Sequence, residues 1–237
     1  MIYMYTGTPG SGKSYHVARD IVARLKRGGG LICNFPINTD AIKNVKGDFI
    51  YKDNSELTLE FLSTYAKEHH CMGKENQSLV VVDEAQVLFN CRDFSRGDRS
   101  KWVTFFSQHR KYGYNIILVT QNDRMIDRQI RSLVEYEIKH RKINNYGFGG
   151  LLLSFTFMTW FVAIEKWYGM QGQEARLGAS FFPYLKKYSK IYDSYMLFHE
   201  ENEVKSDVEV SASEVEAGGN RDSGGALDGA SEVVVAV

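Results

Sequence analysis

Gly7-Thr8-Pro9-Gly10-Ser11-Gly12-Lys13-Ser14 fits G-x-x-x-x-G-K-[ST] at every position. The glycines let backbone N–H groups curl around a phosphate, and a helix starting just behind adds the positive end of its dipole. Lys13 is placed to reach β- and γ-phosphates, and the Ser14 hydroxyl to hold Mg²⁺. Gly7 through Tyr15 is therefore the expected binding segment for ATP and its magnesium ion. A chance glycine turn with a surface lysine would lack the strand before it and the helix after it.

Leu79-Val80-Val81-Val82 buries a strand, and Asp83-Glu84 follows at its carboxyl end, where ligands bind in open α/β sheets. Asp83 is expected to order magnesium directly or through water, and Glu84 to orient and polarise an attacking water. An acidic pair after a strand is often only a helix cap. About 70 residues beyond a phosphate loop, hydrolysis is the better reading. A switch GTPase needs N/T-K-x-D, and the nearest string, Thr120-Gln121-Asn122-Asp123, lacks the lysine. A small-molecule kinase does not normally need a glutamate poised to activate water.

Gln121 ends another apolar run and can sense a γ-phosphate by hydrogen bonding, or be a plain polar strand terminus. Hydrolysis by a motor also needs a cation at the γ-phosphate, often from a neighbouring subunit. Arg110 with Lys111, the group Arg92, Arg96 and Arg99, and the group Arg124, Arg128 and Arg131 are the candidates.

These residues need a scaffold, and short apolar runs alternating with helical periodicity predict an α/β fold: a mainly parallel sheet flanked by helices. Strands are expected over residues 1–5, 31–34, 79–82, 116–120 and 136–143. Helices are expected over 14–27, 55–69, 101–111 and 127–133. Residues 148–164 carry no charge. Ser154, Thr156 and Thr159 interrupt them, and β-formers continue to Trp167, so a strand in a β-rich extension is preferred to membrane contact. His69-His70-Cys71 is expected as a surface loop rather than a metal site.

The formal charge is zero but unevenly spread. Residues 201–237 hold nine acidic and two basic residues, leaving 27 basic and 20 acidic in residues 1–200. A basic ATPase domain over 1–200 and an acidic, disordered tail over 201–237 are expected. The three cysteines lack CxxC spacing and read as reduced thiols. Residues 2–5 run into the glycine turn without a basic start or cleavage site, so no signal peptide is expected.

"MIYMYTGTPGSGKS" at the start, "VVVDEAQVLF" at 80–89, "QHRKYGYNIILVTQ" at 108–121 and "KIYDSY" at 190–195 together resemble the zonula occludens toxin (Zot) family, which includes filamentous-phage assembly ATPases. The resemblance implies a P-loop ATPase of the additional-strand kind, related to the FtsK–HerA DNA pumps. Gly7–Ser14 would bind phosphate and Mg²⁺, Asp83 and Glu84 would be the magnesium and catalytic acids, and Gln121 the sensor. His109-Arg110 would lie in a subunit-contact helix, which favours Arg110 as the cation supplied to a neighbouring subunit. The implied role is a homo-oligomeric, hexameric motor for phage assembly and export. Its partners would be phage DNA or assembly and coat proteins, in the cytoplasm at the inner face of the host inner membrane. Phage relatives carry a membrane helix after the ATPase domain, whereas an acidic tail follows here. Two other readings use the same site: a DNA-packaging ATPase without a membrane partner, and an ATP-gated module recruiting a partner through the tail. Toxin activity has no support in these residues.

Overall fold

A computed structural model describes residues 1–92, 97–143, 159–170 and 172–192. The chain divides into two units, Met1–Asp193 and Ser194–Val237. The second, with the expected acidic tail, lies outside the described residues, as do 144–158.

The first unit is built on one eight-stranded sheet. Its strands are β1 (Ile2–Thr6), β2 (Gly30–Cys33), β3 (Phe49–Tyr51), β4 (Ser78–Val82), β5 (Tyr114–Val119), β6 (Tyr136–Lys142), β7 (Trp160–Trp167) and β8 (Arg176–Pro183). The spatial order is β3-β2-β4-β5-β1-β6-β7-β8. The first six strands run parallel, so their carboxyl ends share one edge of the sheet. β5 lies between the strand that leads into the glycine turn and the strand that ends at the acidic pair, the arrangement that an additional-strand P-loop fold requires.

Helices cover both faces, which is why the central strands are continuously aliphatic rather than alternating. Val80, Val82, Ile116 and Leu118 face α2 (Leu59–His69) and α3 (Arg99–Gln108) through Leu62, Trp102 and Phe106. Leu79, Val81, Ile117 and Val119 face α1 (Lys13–Lys26) through Val17, Ile21 and Leu25. A four-residue α4 (Arg128–Arg131) and α5 (Lys186–Ser189) complete the α-helices of the described residues.

The uncharged segment resolves in favour of a strand where it is described. β7 pairs antiparallel with β6 from Lys142↔Phe161 to Tyr136↔Trp167, and β8 pairs antiparallel with β7. The β-rich part thus extends the central sheet itself. Residues 148–158 of that segment lie outside the described residues.

Differences from the sequence expectation have local causes. β3 and β8 were not anticipated: β3 has three residues, and β8 alternates weakly around Gly178. α2 begins at Leu59 rather than residue 55 because Asp53 Oδ1 accepts from the N–H groups of Ser55 and Glu56 and closes a turn. Thr58 then caps the helix by accepting from Phe61 N–H at 3.1 Å. His69 ends α2. The His70 ring bridges the Tyr112 carbonyl at 2.6 Å and Ser78 Oγ at 2.7 Å, so it is a strut rather than a free loop residue. All three cysteines are free thiols, and no cluster of metal-ligating side chains occurs among the described residues.

Leu118 is fully buried at the centre of the sheet. Truncation to alanine leaves a cavity between β5 and α3, and Leu118→Ala is expected to lower unfolding stability by about 2–5 kcal/mol in denaturant titration.

Candidate nucleotide site

The chain leaves β1 through a loop whose backbone favours glycine at three points. Gly7, Gly10 and Gly12 have φ of 146°, 72° and 95°. A Cβ on Gly7 would lie 2.6 Å from the His140 carbonyl and from Ser11 Oγ, and one on Gly12 would lie 2.6 Å from the Phe161 ring. The loop is therefore pressed against the ends of β6 and β7.

α1 starts directly behind it, with Gly12 as N-cap, no side-chain cap and no acidic residue in its first turn. His16 N–H is the first to reach back, to the Gly12 carbonyl. The N–H groups of Lys13, Ser14 and Tyr15 thus have no acceptor in the preceding turn and suit an anion. Ser11 Oγ is buried without a partner. Lys13 Nζ donates to the Gly7 carbonyl at 2.8 Å and the Thr8 carbonyl at 3.4 Å, folded onto the loop. Burial pulls the Lys13 ammonium below its usual range, opposed by the Glu84 and Asp83 carboxylates. These features fit a polyphosphate. Tyr15 can contribute only its backbone, because its hydroxyl donates to the Pro183 carbonyl at 2.9 Å and accepts from Leu185 N–H at 3.0 Å.

Asp83 and Glu84 emerge from β4 on the same edge. Asn34, just past β2, grips the Asp83 backbone from both sides: its Oδ1 accepts from Asp83 N–H at 2.7 Å and its Nδ2 donates to the Asp83 carbonyl at 2.9 Å. The Asp83 carboxylate accepts from Glu84 N–H at 2.9 Å and from the Tyr192 hydroxyl. Burial raises the Asp83 carboxyl, opposed first by the Tyr192 hydrogen bond. Glu84 turns to φ 45°, a conformation costing a non-glycine residue about 1–3 kcal/mol. That turn leaves its side chain exposed, with Gln86 Nε2 donating to it. Oxygen donors for a magnesium ion are thus available from Asp83 and Ser14, and Glu84 is open to water.

Gln121 is exposed beyond β5, and its carbonyl accepts from Gly7 N–H at 3.4 Å. A cleft of about 840 Å³ runs from there along the flank of the loop that faces β6, lined by Gly7–Ser11, Asn122–Arg124 and the end of β6. Its size is that of a small-molecule site.

Arg110 lies elsewhere. It follows α3 at the amino ends of the strands and pairs with Glu135, whose other oxygen accepts from Ile2 N–H at the start of β1. The length of β1 separates it from the loop by roughly 15 Å, so it could act only on a neighbouring copy. His109 beside it is buried, its Nδ1 at 2.7 Å from the Phe106 carbonyl. Arg99 pairs with Asp127 and Arg131 with Asp123. Arg96 lies outside the described residues.

Three participants had no sequence signal for their role: Asn34, Tyr192 and a pair beneath the loop made of the half-buried His16 and the buried His140. In that pair His16 Nδ1 meets His140 Nε2 at 2.8 Å, and His140 Nδ1 lies 3.2 Å from the Thr6 carbonyl. Burial pushes His16 down to about 4 and His140 to about 3.

The sequence profile of the family described as Zonular occludens toxin (Zot) matches residues 1–195. The Gene 1 protein of Enterobacteria phage I2-2 is 26% identical over 159 residues, 64% of this chain and 44% of that protein. The Gene 1 protein of Enterobacteria phage M13 is 24% identical over 148 residues, covering 60% and 42%. The chain spans less than half the length of these curated relatives. Among solved structures, the N-terminal domain of zonular occludens toxin from Neisseria meningitidis is similar at 20% identity and a TM-score of 0.50, covering 81% of this chain and 98% of that domain. That likeness shows the fold, a P-loop NTPase.

The histidine pair makes acid sensitivity testable. Both histidines stay neutral in the folded state while the unfolded chain takes up protons below the usual histidine value near 6.5. The unfolded state then binds more protons, so stability falls as pH drops from 6.5 towards 4. Asp20, raised to about 6 by burial, works in the opposite sense. His140→Asn is expected to lose less melting temperature between pH 7 and pH 4.5 than the wild type, read by circular dichroism.

Proposed function

The chain belongs to the zonular occludens toxin family, and from that premise we propose that it is a magnesium-dependent ATPase driving filamentous-phage assembly and export. One observation carries the enzymatic part. The phosphate loop and Asp83-Glu84 both follow parallel strands at one edge of the sheet, with β5 between those strands. The similarity to phage Gene 1 proteins supports the biological role.

Bound between Ser14 and Asp83, magnesium would screen the charge of the β- and γ-phosphates. The loop N–H groups and the first turn of α1 bind the polyphosphate. Lys13 exchanges its loop carbonyls for phosphate oxygens. Glu84 accepts a hydrogen bond from a water molecule and aims it at the γ-phosphorus, and Gln121 reads whether the γ-phosphate is present.

Arg110 stands at the far end of its own strands, so in our reading it serves the site of a second copy and the working form is a homo-oligomer, a hexamer. Arg110 is the proposed donor. The partners are phage DNA or assembly and coat proteins, reached at the inner membrane. Among the described residues no helix is long and apolar enough to cross a membrane, so membrane attachment would come through another segment or a partner. In this reading the ATPase domain ends near residue 200 and the acidic segment follows it.

Steady-state phosphate release tests this. Lys13→Ala and Glu84→Gln are each expected to reduce hydrolysis by at least about 100-fold, the scale of a lost base or charge stabiliser. Glu84→Gln should still bind ATP with near wild-type affinity, because only water activation is removed. Normal turnover by Glu84→Gln would refute the assignment.

A further inference from the structure

Lys190-Ile191-Tyr192, the last described residues of the first unit, supply no reacting group in the chemistry above, yet one of them reaches the site. Tyr192 donates its hydroxyl to Asp83 Oδ2 across 109 positions of sequence.

We infer that Tyr192 is a positioning residue of the magnesium site, setting the rotation of the Asp83 carboxylate from outside the metal's coordination sphere. The inference rests on the reading of Asp83 as the magnesium carboxylate. Asn34 fixes only the Asp83 backbone. Oδ1 is held by Glu84 N–H at 2.9 Å, and Oδ2 by the tyrosine. A carboxylate oxygen has two lone-pair directions, so both oxygens keep one for a metal or its water. Without the tyrosine, Oδ2 would be free to turn about a single anchor.

The tyrosine is itself well held. Its ring lies 4.3 Å from that of Phe35, centroid to centroid. The preceding residue, Ile191, is buried, and its carbonyl accepts from Asn38 N–H at 2.9 Å. Phe35 and Asn38 follow β2, the strand beside β4, as does Asn34. The chain after β2 therefore holds Asp83 twice, directly through Asn34 and indirectly through the seat it provides for Tyr192. Groups that hydrogen-bond a metal's carboxylate typically carry 10–100-fold in metal affinity.

The test compares the affinity of a fluorescent mant-ATPγS with Mg²⁺ and with EDTA, so that the ratio reports the metal at the site without turnover. Tyr192→Phe removes one oxygen. It is expected to leave the EDTA affinity unchanged and to shrink the magnesium gain about tenfold. Tyr188→Phe, in the same segment with its ring edge-on to Tyr15 at 5.7 Å, should change neither. Asp83→Asn should lose the gain. If Tyr192→Phe keeps the full gain while Asp83→Asn loses it, or if its EDTA affinity falls by the same factor, the positioning role is overturned and the magnesium assignment stands. If Asp83→Asn keeps the gain, both fall.

Discussion

Three glycines at positive φ between β1 and α1 set the terms for the rest of the molecule. The loop can bare its N–H groups to an anion only where no Cβ intervenes, and at Gly7 and Gly12 the space is taken by the His140 carbonyl and the Phe161 ring. β6 and β7 are consequently walls of the nucleotide site as well as parts of the sheet. The neutral His16–His140 pair sits under the same loop and pins its floor to the end of β1. A polar group buried this deeply persists only when it is hydrogen-bonded, and here each imidazole has a partner.

The parallel sheet turns local chemistry into a shared site. Phosphate loop, acidic pair and Gln121 are far apart in sequence, yet each directly follows a parallel strand, so register alone brings them to one edge. The antiparallel β7 and β8 lie outside that logic and act by packing: Phe161 and Phe182 flank Tyr15, whose hydroxyl is occupied by the chain around Pro183 and Leu185. A residue adjacent to a nucleotide motif is thereby committed to the fold.

Much of this was legible beforehand because it depends on local rules. The glycine spacing, the aliphatic run before Asp83-Glu84 and the helical period of Val17, Ile21 and Leu25 each specify their own element. What stayed hidden depends on long-range contact. Asn34 is an ordinary polar strand terminus until β2 is placed beside β4. Tyr192 belonged to a recognisable string, but nothing in the string says that it meets Asp83. Arg110 was read from the resemblance as a residue offered to a neighbouring subunit, and only strand direction shows that it stands at the end of the sheet away from its own chain's phosphate loop. The apolar segment was ambiguous because one face of β7 meets the loop and α1 while the other carries Lys166 to the buried Glu137, and short apolar runs do not reveal which.

A nucleotide site completed by a second copy is the central claim. Mass measurement of Glu84→Gln in solution, with and without ATP, tests it most directly, because that variant holds ATP unhydrolysed. The account predicts conversion to a discrete ring-sized oligomer on adding ATP, with single-stranded DNA increasing the fraction assembled. A particle that stays monomeric with ATP bound would contradict it.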